Sequence, residues 1–197
     1  MKYREIILEQ LKFQPYFDKK AIYQLSDQYG LKSTTVDAYI SRSLKRREII
    51  SLKKGLYISD DYYNKNKDDI SYLFYIANIL RAPSYVSSWT ALQYYSLATE
   101  VIRTIISITP KVTRSYETRV GIFSYHSIQK DLFSDFYLVR GKFNFFIASP
   151  AKALFDLLYF KTSQFRGVSI DDVKILISEL RIDIDDINQK ERRKFYM

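Results

Sequence analysis

Along the first 58 residues, apolar positions recur at helical spacing three times and then give way to two short β-rich runs. Tyr3, Ile6, Ile7 and Leu11 fall on one side of a first helix that Pro15 stops. Asp18 is placed to cap a second helix, because its carboxylate accepts the free N–H groups of a first turn. Phe17 and Ile22 flank that cap at hydrophobic-staple spacing. Ile22, Leu25 and Tyr29 continue the apolar side, and Gly30 supplies a left-handed exit. After the turn Gly30–Lys32, Ser33 is expected to cap a third helix that runs to about Arg46.

The third helix has two unlike sides. Val36, Ile40 and Leu44, with Tyr39 and Ser43, form the side expected to pack on the first two helices. Thr34, Ala38, Ser41, Arg42 and Lys45 form the other. Small side chains let a helix approach a DNA groove, hydroxyls and Arg reach base edges, and a basic end meets phosphates. Glu48–Leu52 and Leu56–Ile58 then read as a hairpin whose tip is Lys53-Lys54-Gly55. Three helices and a basic-tipped hairpin follow the order of a winged helix-turn-helix. In that reading Thr34, Thr35, Ser41 and Arg42 read bases, while Lys45, Arg46, Lys53 and Lys54 contact phosphates. Arg47 falls close to the apolar side and is set apart from these.

The polar run Ser59–Asp69 reads as a join, and Ile70–Leu80 as a strongly apolar helix. From Ala82 onward the texture is mixed. Pro83–Val86 is extended, and Ser87 or Ser88 caps a helix holding Trp89, Leu92 and Tyr95. Val101–Thr109, Arg119–Tyr125, Phe136–Arg140 and Lys142–Ile147 are strand candidates, with a turn at Gly141. Pro150 opens a helix whose buried side is Ala153, Leu154, Leu157 and Leu158, and a last helix spans Ile170–Leu180. The fold class expected is α+β: a winged helix-turn-helix over residues 1–60, a polar linker over 61–69, and a mixed α/β domain over 70–197.

Charge adds a partner to this picture. The 197 residues carry 31 Lys and Arg against 22 Asp and Glu, and the excess is denser up to and including Lys67, where 14 basic residues face 8 acidic ones. A basic N-terminal module points to a polyanion, nucleic acid first. The chain has no Cys and one His, which excludes disulfide scaffolds, zinc fingers, thiol nucleophiles and His-clustered metal sites. No 18-residue apolar run or signal peptide is present, so a soluble, cytoplasmic protein without membrane contact is expected.

Two segments carry a family resemblance. Pro83-Ser84-Tyr85-Val86-Ser87-Ser88-Trp89-Thr90-Ala91-Leu92-Gln93-Tyr94-Tyr95-Ser96-Leu97 resembles the S-A-L, aromatic-H-G-L segment of the AbiEi antitoxins. Ala148-Ser149-Pro150-Ala151-Lys152-Ala153-Leu154-Phe155-Asp156-Leu157-Leu158-Tyr159 is similar to their A-x-P-E-K-A-L-x-D-L-L-Y box. Tyr95 and Ser96 stand where that family usually has His-Gly, and Ala151 where it usually has Glu. The resemblance implies an antitoxin of a type IV toxin–antitoxin, or abortive-infection, system. It implies a transcriptional autorepressor that binds inverted repeats in double-stranded promoter DNA through its winged helix. It also implies that a nucleotidyltransferase-like toxin is counteracted, without a stable complex being required.

Other chemistry is open to the residues. Asp156, Asp172 and Lys174 match the acidic-x-Lys pattern of Mg²⁺-dependent nucleases, although Ser169, Asp171 and Asp172 also suit a helix N-terminus. Asp183-Ile184-Asp185 has the form of a nucleotidyltransferase Asp-x-Asp but lacks the Gly-Ser turn upstream, so a polar/apolar alternation or a turn is the simpler reading. The Lys152–Asp156 pair suits a structural helix. Arg103, Lys111, Arg114 and Arg119 either extend a DNA footprint or form a solvated face, and Gln189–Lys194 reads as a solvated helical tail. The expected protein is a DNA-binding antitoxin without enzymatic activity or cofactor, self-associating on DNA. A Mg²⁺-dependent nuclease and a protein-binding module with a basic face are the alternatives.

Overall fold

The computed structural model describes residues 2–99, 103–189, 191 and 193. The chain is mixed α+β and divides into two compact units, residues 1–72 with 116–120, and residues 73–115 with 121–197.

In the first unit the order is α1 (Lys2–Leu11), β1 (Phe17–Asp18), α2 (Lys19–Asp27), α3 (Ser33–Lys45), β2 (Ile49–Lys53), β3 (Leu56–Ser59) and α4 (Asp60–Asn66). Ile7, Leu11, Phe17, Ile22, Val36, Ile40, Ile49 and Tyr57 form one buried cluster drawn from α1, α2, α3 and the strands, whereas Ile6, expected on the apolar side of α1, is exposed and the side chain of Tyr3 lies outside the described residues. Asp18 caps α2 by accepting from the Ala21 N–H at 2.7 Å. At the other end the Leu31 N–H reaches the Ser26 carbonyl at 3.2 Å, a closure that requires the left-handed Gly30 (φ +65°). The strands form a sheet of order β1-β3-β2, with β1 and β2 both antiparallel to β3.

Several expectations change here. Ser33 is the first residue of α3 and not its cap: Lys32 holds that position and supplies no side-chain hydrogen bond. The polar join is in large part helical. Ser59 caps α4, accepting from Tyr62, and Asp60 and Asp61 occupy the first turn, where carboxylates favour the positive end of the dipole. Arg47 is exposed, not near the apolar side, because the chain turns there with φ +60° before entering β2.

Helix α5 (Ile70–Leu80) leads into the second unit, which holds β4 (Tyr85–Val86), α6 (Ser88–Tyr94), β5 (Thr104–Thr109), β7 (Gly121–Ser127), β8 (Phe136–Val139), β9 (Phe145–Ala148), α7 (Pro150–Lys161) and α8 (Ile170–Glu179), while β6 (Arg114–Thr118) runs from the last residues before 116 into the 116–120 segment of the first unit. Within this unit the strands of a mixed sheet follow the order β7-β5-β4-β9-β8. Strand β5 runs parallel to β7, in the register Ile105↔Phe123 to Thr109↔Ser127, and antiparallel to β4. Strand β9 runs parallel to β4 and antiparallel to β8. Helix α6 packs against α7 and β5, over a core that includes Phe74, Tyr85, Leu92, Ile108, Phe123, Phe145 and Leu158.

The strand expected over Val101–Thr109 begins at Thr104, and Val101 and Ile102 lie outside the described residues. The strand placed over Lys142–Ile147 is shifted to Phe145–Ala148, with a longer turn before it. Much of the expected tail Gln189–Lys194 also lies outside the described residues. Among those described, no helix is long and apolar enough to cross a membrane.

Candidate nucleic-acid interface

The α2–α3 pair presents one side of α3 to solvent. Val36, Ile40 and Ser43 are buried, which leaves Thr34, Ser41, Arg42 and Lys45 exposed and Thr35 and Ala38 half-buried. Arg42 and Lys45 lie in the last turn, where cations complement the helix dipole. Neither makes an ion pair among the described residues, so their charge is available to a ligand. Arg46 is exposed and stands 4.0 Å from Glu48.

The hairpin carries the other basic group. Its register runs Ile49↔Ser59, Ile50↔Ile58 and Ser51↔Tyr57, then shifts so that Lys53 faces Leu56. The irregularity and the left-handed Gly55 (φ +79°) make a tight tip that holds Lys53 half-buried and Lys54 exposed. The Lys19 N–H donates to the Gly55 carbonyl at 2.9 Å, so the tip is tied to the start of α2.

A second tie joins α2 to α3. The Tyr23 hydroxyl donates to Asp37 Oδ1 at 2.7 Å, and Lys19 Nζ lies 2.8 Å from the same oxygen and 5.1 Å from the Tyr23 ring centre. The Lys19 ammonium, followed by the Tyr23 hydroxyl, holds the Asp37 carboxyl below its usual range, and Asp37 in turn raises Lys19. Both groups are solvent-exposed, so the pair is screened and is worth little as stability. Its effect is geometric, because it fixes α3 and the hairpin tip to one residue. Lys19 and Asp37 were not among the residues the sequence pointed to. The available signal for Lys19 was its place directly after the Asp18 cap.

The residues of the nuclease alternative do not assemble. Asp156 is wholly buried. Asp172 is exposed and its carboxylate accepts from the Ser169 N–H at 2.9 Å and hydroxyl at 2.7 Å, closing a capping box that pulls it below its usual range. Lys174 pairs with Asp171 at 2.9 Å. Among the described residues no group of three or more His, Cys, Asp or Glu is arranged to hold a metal ion. Ile184–Asp186 is a 3-10 turn, which accounts for the Asp-x-Asp spacing.

Asp156 instead anchors a buried polar network. Its Oδ2 accepts from Ser87 Oγ at 2.6 Å and from the Tyr85 hydroxyl at 3.1 Å, while Oδ1 faces Lys152 Nζ at 2.8 Å. Lys152 also donates to the Leu132 carbonyl at 2.8 Å and lies 4.6 Å from the Phe155 ring centre. Burial pushes the Asp156 carboxyl up, against the pull of Lys152, Ser87 and Tyr85.

Of the four basic residues around the middle strands, Arg103 is exposed and Lys111 and Arg119 are engaged. Lys111 Nζ donates to the Ala82 carbonyl, and Arg119 pairs with Asp60 at 3.0 Å. His126 packs against Phe160 at 5.0 Å between ring centres, and burial lowers its pKa.

No protein-family model matches the chain, and no curated protein matches it.

Proposed function

We propose that this chain is a sequence-reading, double-stranded DNA-binding protein whose first unit is a winged helix-turn-helix. The observation that carries the reading is the exposed side of α3, with Thr34, Ser41, Arg42 and Lys45 displayed beside a hairpin tipped by Lys53 and Lys54. The α3 side chains suit base edges at its first turns and phosphates at its last, and the hairpin lysines suit the adjacent backbone. The strand β1, paired to β3, supports the same reading because it locks the hairpin to the helices.

Taken with the AbiEi resemblance, the proposal extends to an autorepressing antitoxin without enzymatic activity. It binds promoter inverted repeats, two copies per operator, and counteracts a nucleotidyltransferase-like toxin. The test is binding of the full chain to the DNA directly upstream of its own gene, against a shuffled duplex, over a salt series. Tight binding to the upstream duplex alone is the expected outcome. Equal, salt-sensitive binding to both duplexes refutes the repressor reading. The toxin arm is tested by co-expression with a neighbouring nucleotidyltransferase-like gene, where rescue of growth is expected.

A further inference from the structure

We infer that Asp37 is a specificity-determining residue of this interface that selects cytosine by accepting a hydrogen bond from the base's exocyclic amine in the major groove. The inference rests on the DNA-reading proposal above and names one chemical group that it recognises.

Asp37 sits three residues after Thr34 and four before Ser41, so it shares the outward side of α3 with both. Its side chain is half exposed, and both of its donors, Lys19 Nζ and the Tyr23 hydroxyl, converge on Oδ1. Oδ2 has no partner among the described residues. One oxygen is thus a fixed anchor and the other an acceptor without a partner among the described residues, at an exposed position of α3.

A bare carboxylate on a DNA-binding surface is repelled by phosphates, which argues against placing one there without a reason. Here Lys19 supplies a compensating charge at 2.8 Å, so the pair approaches DNA close to neutral. An ionised carboxylate is an acceptor only. Guanine and thymine show it acceptors in the major groove, and adenine shows an amine beside the N7 acceptor. Cytosine shows its N4 amine, the pairing that Asp and Glu make with base edges. Lys19 and Tyr23 act through Asp37 and are positioning residues.

The test is selection of the full chain on a randomised duplex pool at fixed salt, for the wild type, Asp37→Ala and Asp37→Asn. The wild type is expected to recover a site with one cytosine per half-site at which Asp37→Ala becomes indifferent, a loss of roughly fivefold or more in discrimination. At that position Asp37→Asn is expected to prefer adenine, whose N6 and N7 an amide can engage together. N4-methyl-dC there replaces the groove-facing hydrogen while leaving base pairing possible. It should weaken the wild type by a similar factor and leave Asp37→Ala unmoved.

If the wild type selects a site and both variants keep the same cytosine preference, Asp37 is only a brace between α2 and α3 and the inference is overturned. Equal N4-methyl sensitivity in wild type and Asp37→Ala has the same meaning. If the wild type itself recovers no site, the DNA-reading proposal fails and the inference falls with it.

Discussion

Replacing Lys152 by Met leaves Asp156 buried with two hydroxyl donors and no compensating charge. Lys152 and Asp156 are 6% and 0% exposed, so water does not take the place of the lost ammonium. The cheapest response is for Asp156 to take up a proton. Holding a carboxyl with a reference pKa of about 3.9 neutral at pH 7 costs about 1.4 kcal/mol per pH unit, or ~4 kcal/mol in all. That agrees with the ~3–5 kcal/mol cost of breaking a buried pair by removing one partner. At pH 5 the same step costs only ~1.5 kcal/mol. The folded variant then holds a proton that the unfolded chain has released. Its stability therefore falls as pH rises through this window, and it does so more steeply than the wild type.

The chain's one Trp, Trp89, provides the readout, since it lies in α6 just after Ser87 and is buried. Urea unfolding followed by its fluorescence at pH 5, 6 and 7 should give a Lys152→Met deficit that grows with pH, by up to about 1.4 kcal/mol per unit. Adding Asp156→Asn removes the charge while keeping an oxygen for Ser87 and Tyr85. The double variant should recover part of the loss and give a coupling energy of ~2–3 kcal/mol. A pH-independent deficit below ~1 kcal/mol, or additive effects in the double variant, would refute the assignment of this pair as a buried, mutually dependent unit.

Three further outcomes are expected. Arg42→Ala should lower affinity for the selected site by ~1–3 kcal/mol and relax preference at one position, whereas Lys53→Ala with Lys54→Ala should weaken binding to every duplex and flatten the salt slope, both read by titration over a salt series. Ser96 adopts φ +59°, so Ser96→Gly should raise stability by up to ~1 kcal/mol in urea unfolding, a loss of that size speaking against the left-handed turn. Burial lowers His126 below its ordinary pKa of 6.5, so its contribution is present above that value and is lost as pH falls through it toward the folded pKa. Stability curves of the wild type and His126→Gln should therefore diverge only below about pH 6.5, and parallel curves would remove His126 as the cause.

The parts of the fold that the sequence made legible are those set by local chemistry. Asp18 as a cap, Gly30 as a left-handed exit and the apolar spacing of Val36 and Ile40 each act within a few residues, and each is found where the pattern places it. Strand β1 was hidden because its two residues, Phe17 and Asp18, are a strand only by virtue of pairing with Tyr57 and Leu56, about forty positions on. Strand β6 was hidden because Arg114–Thr118 is polar and largely exposed, with no alternation to mark it. Helix α4 is masked by its polarity, although Ser59, Asp60 and Asp61 together form a helix-start signal. At the interface, the outward residues of α3 and the hairpin tip were legible from periodicity. The Asp37–Lys19–Tyr23 linkage was not, since it joins two helices through exposed side chains that periodicity treats as solvent-facing.

The two segments that carry the family resemblance turn out to be one physical feature. Tyr85 and Ser87 come from the first, Asp156 and Lys152 from the second, and all four meet in the buried network. Tyr95, from the first segment, donates to the Ala148 carbonyl of the second at 2.7 Å and shares a 2.6 Å hydrogen bond with Tyr137. The departures from the family pattern fall at the same junction. Ser96 takes the left-handed conformation for which Gly is suited, and Ala151 is buried where a Glu would need a partner. The residues of these two segments thus explain how this domain is held together. The Asp156 carboxylate, the Lys152 ammonium and the Ser87 and Tyr85 hydroxyls are engaged with one another in that network. The antitoxin reading of the second unit must therefore be tested on its exposed faces, and substitutions within the network will report on folding before they report on toxin neutralisation.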